Sequence, residues 1–139
     1  MLKRISIQAV VIAFAAEIVA DLVLSSLVIA AFAQGSLSES ASGEQLRATT
    51  EAIANSTQFL LTWFVVGTGT TFGGGYLAAR LAKTFPYYNG LAIGILGIAL
   101  SVFFWGDGPL WFNLLGLFTT LPASIYGAHF AKQHLSATK

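Results

Sequence analysis

The feature that most constrains this chain is an apolar run over residues 5–33 whose only charged members are Glu17 and Asp21. A soluble fold of 139 residues has no core large enough to hide such a stretch. About 20 apolar residues suffice to cross ~30 Å of hydrocarbon as a helix. Three more apolar runs follow, over residues 59–82, 90–105 and 110–131. We therefore expect an all-α integral membrane protein: one domain, residues 1–139, folded as a four-helix transmembrane bundle. The third run is short and the first long. At ~1.5 Å per residue the first exceeds ~40 Å, so it must tilt or protrude at the outer surface.

Composition agrees with a lipid solvent. Hydrophobic residues are 55% of the chain and charged residues 9%, against about 25% charged in an ordinary soluble domain. The net charge of +1 and the lack of a basic patch with interleaved aromatics exclude a nucleic-acid partner. Cysteine is absent, which excludes disulfides, thiol redox chemistry and cysteine-ligated metals.

Orientation follows from the basic residues. Lys3 and Arg4 precede the first run, Arg80 and Lys83 lie between the second and third, and Lys132 and Lys139 follow the fourth. Four crossings place all of these on one side, with both termini cytoplasmic. Arg47 alone lies opposite, among Glu39, Glu44 and Glu51. Trp63, Trp105 and Trp111 fall at the outer boundary, and Tyr76, Tyr87, Tyr88 and Tyr126 toward the inner one, as interfacial aromatics do. The pattern fits a bacterial-type inner membrane. A competing reading is a cleaved secretory signal ending at Ala31-Phe32-Ala33. The length of the run and its two carboxylates argue against it.

Between the first two spans lies the one long connection. Residues 36–42 form a small-polar loop, and Ser42 with Gln45 matches a capping box. Leu46, Thr50, Ile53, Thr57 and Leu60 then recur at helical spacing, so the second span is expected to start outside, near Gly43, and run inward as one helix. The other connections are short. Pro86 separates the second and third spans, and Gly106-Asp107-Gly108-Pro109 reads as a tight turn with Asp107 as a helix cap. Ala78–Lys83 lines up with Gly127–Lys132, as two in-out-in hairpins would; small residues and a terminal lysine, which any inner helix end tends to have, are the better account of it.

Small residues mark the packing faces. Gly69 and Gly73, Gly90 and Gly94, and Ala123, Gly127 and Ala131 are four-residue steps that let membrane helices approach closely. That serves packing within one bundle or a homodimer face. Gly73, Gly74 and Gly75 together weaken a helix in every direction, and Pro122 frees the carbonyl of Phe118. Both are candidates for a hinge or an unwound segment.

Glu17 and Asp21 are the candidate chemistry. They lie four apart, on one helix face, in a ridge with Ala9, Ala13 and Ser25. Counting along the helix puts Glu17 near mid-bilayer and Asp21 in the outer half. A charge there costs at least ~2.5 kcal/mol, so intramembrane carboxylates usually face a bundle interior or water. At similar depth come Thr68 and Thr70 in the second span, Ser101 in the third, and Thr119 and Thr120 in the fourth, with Asn113 nearer the level of Asp21. Such a layer of hydroxyls could hold an ion. No Lys or Arg lies at that depth, so Glu17 is expected to be protonated, hydrated or paired with an exchangeable cation.

The segment Ala16-Glu17-Ile18-Val19, a glutamate in the first of four short spans, resembles the small multidrug resistance transporters. That resemblance implies a dimer exchanging protons for cationic drugs through the glutamate. It covers four residues, and the long outer segment and glycine-rich second span depart from the pattern.

No H-E-x-x-H, G-x-S-x-G or P-loop pattern occurs, so an enzyme is not expected and any cofactor is left open. His129 and His134, at the inner end of the fourth span, are candidates to face headgroups or ligate a metal or pigment, although interfacial histidines without such chemistry are commoner. Two functions remain: proton- or cation-coupled movement of a small solute by a homo-oligomer, or an accessory role in a larger membrane complex.

Overall fold

The structure, a computed structural model, describes residues 4–33, 42–105 and 108–137. Those residues form five helices and no strand: α1 (Ile7–Ala33), α2 (Gly43–Ala54), α3 (Thr57–Ala82), α4 (Pro86–Phe103) and α5 (Leu110–Ala137). The expected loop over residues 36–42 and the Asp107 cap lie outside the described residues, apart from Ser42.

Helix starts follow local chemistry. The Ser6 hydroxyl accepts from Ala9 N at 3.4 Å, satisfying one of the free donors at the start of α1. The capping box of α2 is present in full: Ser42 Oγ accepts from Gln45 N, and Gln45 Oε1 accepts from Ser42 N at 3.0 Å. The second helix, however, does not continue inward as one rod. At Asn55–Ser56 the helix stops and restarts, because Asn55 closes α2 and Ser56 Oγ accepts from Phe59 N at 3.3 Å to cap α3. Side chains that bond nearby backbone groups compete with helix continuation. Pro86 opens α4, as its missing N–H and fixed φ allow. Pro109 O accepts from Phe112 N and Asn113 N at the start of α5.

Three helices are long and apolar enough to cross a membrane: Ile7–Ala33, Pro86–Phe103 and Leu110–Ser136. The second apolar run, in α3, has the length but not the hydropathy, diluted by Gly67, Gly69, Gly73, Gly74 and Gly75 and by its threonines. The long apolar helices suit a chain embedded in a lipid bilayer.

α3 nevertheless occupies the middle. It packs on α1, α4 and α5, while α4 packs on α5 and more lightly on α1. Val10 and Ala13 of α1 meet Ala78 of α3 and Ile93 of α4 in one buried cluster, with Phe14 and Leu77 around it. A second cluster joins Ala79 to Ala128 and Ala131 of α5. Most of these side chains are alanine, so the helices meet through close backbone approach.

That approach is tightest between α3 and α5, which run in the same direction. A β-carbon on Gly75 would overlap the Ser124 carbonyl, and one on Gly127 would overlap Phe72 O and come within 2.8 Å of Tyr76 N. From α4, a β-carbon on Gly90 would lie 2.9 Å from the same Ser124 O, and one on Gly94 2.8 Å from Leu121 Cδ2. Gly75 faces Ser124, and Ala79 shares a cluster with Ala128. Both pairs have the sequence separation of Ala78 and Gly127.

One end of the bundle is tied by Asn89, which is fully buried. Its Oδ1 accepts from Ser6 N at 2.8 Å, and its Nδ2 donates to Thr84 O at 3.1 Å and Phe85 O at 3.0 Å. Arg4 lies over the Phe85 and Tyr88 rings at 5.3 and 5.6 Å. Arg4, Arg80, Lys83 and Lys132 all stand at this end, and α2 stands at the other.

Candidate functional site

The ridge Ala9, Ala13, Glu17, Asp21, Ser25 faces the bundle. Ala9, Ala13 and Ser25 are buried, and the two carboxylates between them are half-buried. Four-residue spacing on a helix makes this one continuous stripe. It turns the carboxylates toward α3.

Glu17 is received by a gap in α3. A β-carbon on Gly74 would lie 2.9 Å from Glu17 Cδ and 3.3 Å from Glu17 Cβ, and would overlap Oε2. Only glycine leaves that space. Glu17 Oε2 is buried and has no hydrogen-bond partner. Thr71 of α3 stands beside the carboxyl. One turn along, Thr70 Oγ1 lies 3.2 Å from Asp21 Oδ1 and 2.9 Å from Gly67 O, so one hydroxyl proton serves two acceptors.

Glu17, Thr70 and Gly74 border a cleft of about 460 Å³ between α1 and α3. Ala16, Glu17 and Ala20 line it from α1, and Gly69, Thr70 and Gly73 from α3. The size is that of a small-molecule pocket. Gly69 and Gly73 keep it open: a β-carbon on either would meet nothing within 4 Å. Among the described residues the one salt bridge is Arg47–Glu51, at 3.0 Å and fully on α2, so no cationic side chain pairs with Glu17 or Asp21. A buried carboxyl oxygen without a protein donor is satisfied by a proton, a water or a cation.

The expected layer of hydroxyls is only partly assembled here. Thr70 joins Asp21. Thr68 is half-buried on α3 outside the cleft lining. Ser101 Oγ donates to Gly97 O at 2.9 Å, Thr119 to Leu115 O at 2.8 Å and Thr120 to Gly116 O at 2.7 Å, each within its own helix on α4 or α5. Asn113 Nδ2 donates to Gly108 O at 3.2 Å, at the start of α5. Equal depth along separate helices does not bring side chains together when α3 stands between them.

The glycines divide by role. Gly74 accommodates Glu17, while Gly75, Gly90 and Gly94 meet α5. Gly69 and Gly73 line the cleft. α3 stays helical through Gly73, Gly74 and Gly75, and α5 through Pro122, so neither is an unwound segment. Sequence reasoning missed Thr71. Its signal was available, since Thr71 stands three residues before Gly74 and therefore on the same face.

Compared with known proteins, the chain matches no family model, no curated protein and no solved structure.

Proposed function

We propose that this protein moves a small solute across a membrane by coupling to a proton or cation that binds at Glu17, with Asp21 as the outer access point. The observation that carries the reading is the buried, unpartnered Glu17 Oε2 at the edge of a cleft that contains no cationic side chain. Intramembrane carboxylates of this kind are rare and mark ion or proton pathways. Asp21, one turn away and shared with Thr70, extends the polar track toward the α2 end.

The same proposal takes α3 as the fourth span. It lies against α1, α4 and α5, so it shares their depth, and its low hydropathy fits a helix shielded from lipid on three sides. Both termini then stand at the end that holds Arg4, Arg80, Lys83 and Lys132, on the cytoplasmic side of a bacterial-type inner membrane. One bundle encloses little room for a solute path, so the working form is a homo-oligomer.

The test is proton flux in liposomes, wild type against Glu17→Gln, with candidate cations added. A cation-dependent proton signal that disappears in Glu17→Gln is the expected result. Silence from a folded wild-type protein would overturn it. In that event the accessory-subunit reading takes over, favoured by the few buried residues of α1, namely Ala9, Val10, Ala13 and Ser25. Such a helix leaves most of its surface for a partner, and co-purification with a larger complex would show it.

A further inference from the structure

A groove of about 700 Å³ lies away from Glu17, along α4 and α5. Ile98, Leu117, Leu121 and Ile125 form its apolar walls, and Pro122 faces it from mid-helix. Tyr87 and His129 close it at the basic end of the bundle. From Leu117 to His129 the helical rise is ~18 Å, about the depth of one leaflet of a ~30 Å hydrocarbon core. The groove is therefore as long as an acyl chain region is deep, and it ends at headgroup level.

What gathers at that end is suited to an anion. Lys132 Nζ lies 5.1 Å from the centre of the Tyr87 ring, at the mouth of the groove. Gln133 Nε2 lies 3.0 Å from His129 Nε2, and Tyr87 Oη lies 2.8 Å from His129 Nδ1. With the Gln133 amide donating to Nε2, the neutral ring carries its proton on Nδ1 and donates it to Tyr87 Oη. The Tyr87 O–H is then left to donate outward. Arg4, Arg80, Lys83 and Lys132 all stand at this end, whereas the described acidic residues are Glu17 and Asp21 within α1 and Glu44 and Glu51 on α2. No described carboxylate neutralises the basic end.

We propose that the α4–α5 groove is a binding site for an anionic phospholipid, its acyl chain along Ile98, Leu121 and Ile125 and its phosphate held by Lys132 Nζ and the Tyr87 hydroxyl. Basic pockets between membrane helices take anionic headgroups by this combination of charge and apolar wall. The proposal requires that α4 and α5 lie in a bilayer and does not depend on transport through Glu17.

Delipidated protein in a neutral detergent is titrated with phosphatidylglycerol and with phosphatidylcholine of identical acyl chains, and bound lipid is counted by native mass spectrometry. One phosphatidylglycerol per chain is expected, bound about fivefold more tightly than phosphatidylcholine, the contribution of about one cation near an anionic headgroup. Lys132→Gln, at an exposed position, removes that preference, and Lys83→Gln at the same end retains it. Ile125→Trp, which fills the groove, lowers the affinity for both lipids; circular dichroism verifies that it folds. Equal binding of the two lipids, or equal loss in Lys132→Gln and Lys83→Gln, overturns the site. A dimer that excludes lipid from the groove overturns it too, because a second copy would then be the occupant.

Discussion

Gly74 of α3 stands where any β-carbon would overlap the carboxyl of Glu17 on α1, so the two residues form one complementary contact. Gly74→Ala must push the carboxyl out of its place, although the end of a side chain can yield. A double-mutant cycle reads this directly. Gly74→Ala is expected to destabilise the wild type by about 1–2 kcal/mol, as overpacking does, and to cost much less in a Glu17→Ala background. Gly73→Ala, which meets open space, should be neutral or stabilising by up to ~1 kcal/mol through helix propensity. Equal effects of Gly74→Ala in both backgrounds would show that the contact does not exist.

The α3–α5 contact is less forgiving, because backbone meets backbone. Gly75→Ala would drive a methyl into Ser124 O, and Gly127→Ala into Phe72 O. Neither carbonyl can rotate away. Each substitution is expected to cost about 3 kcal/mol or to prevent folding, measured by thermal unfolding in detergent. Gly69→Ala, open on its β-carbon side, is the matched control.

Asn89 holds the chain before α1 to the α3–α4 turn through three hydrogen bonds. Asn89→Leu leaves a backbone N–H and two carbonyls without that partner, each worth about 1–3 kcal/mol if it stays buried. The variant should lose stability and become more sensitive to trypsin at Arg4. Unchanged cleavage at Arg4 would mean that Asn89 does not anchor that segment.

Lys83 closes α3 in the left-handed region, at φ 58° and ψ −20°. Glycine adopts that conformation without steric cost and is the usual residue at a left-handed helix end. Lys83→Gly should therefore raise the unfolding midpoint, by a free energy of about 1 kcal/mol. A lower midpoint would mean that the lysine side chain contributes more than its backbone costs.

The chain has no cysteine, so single cysteines report topology without background. Lys83→Cys and Ser136→Cys are expected to label from one side of sealed vesicles, and Ala48→Cys, exposed on α2, from the other. Labelling of all three from the same side would remove α3 from the set of spans.

The helices and their starts were legible because they depend on local chemistry. Long apolar runs and the Ser42–Gln45 capping box act within a few residues and appear as expected, whereas Pro86, expected in the loop that ends the preceding helix, opens α4. The ridge through Glu17 and Asp21 was legible too, since four-residue spacing alone puts it on one face. The break at Asn55–Ser56 was missed because apolar periodicity continues across it while the side chains cap each half.

By itself, then, the sequence determined the all-helical class, the preference for lipid and the face of α1 that carries its carboxylates. Tertiary structure alone decided which residues share the cleft. Thr70 reaches Asp21 of α1, whereas Ser101, Thr119 and Thr120 turn back on their own helices. It also assigned Gly74 to Glu17 and Gly75 to Ser124. Adjacent glycines are chemically identical, and one residue is ~100° of helical rotation. Which of them meets a carboxyl and which a carbonyl depends on how α1 and α5 dock on either side of α3.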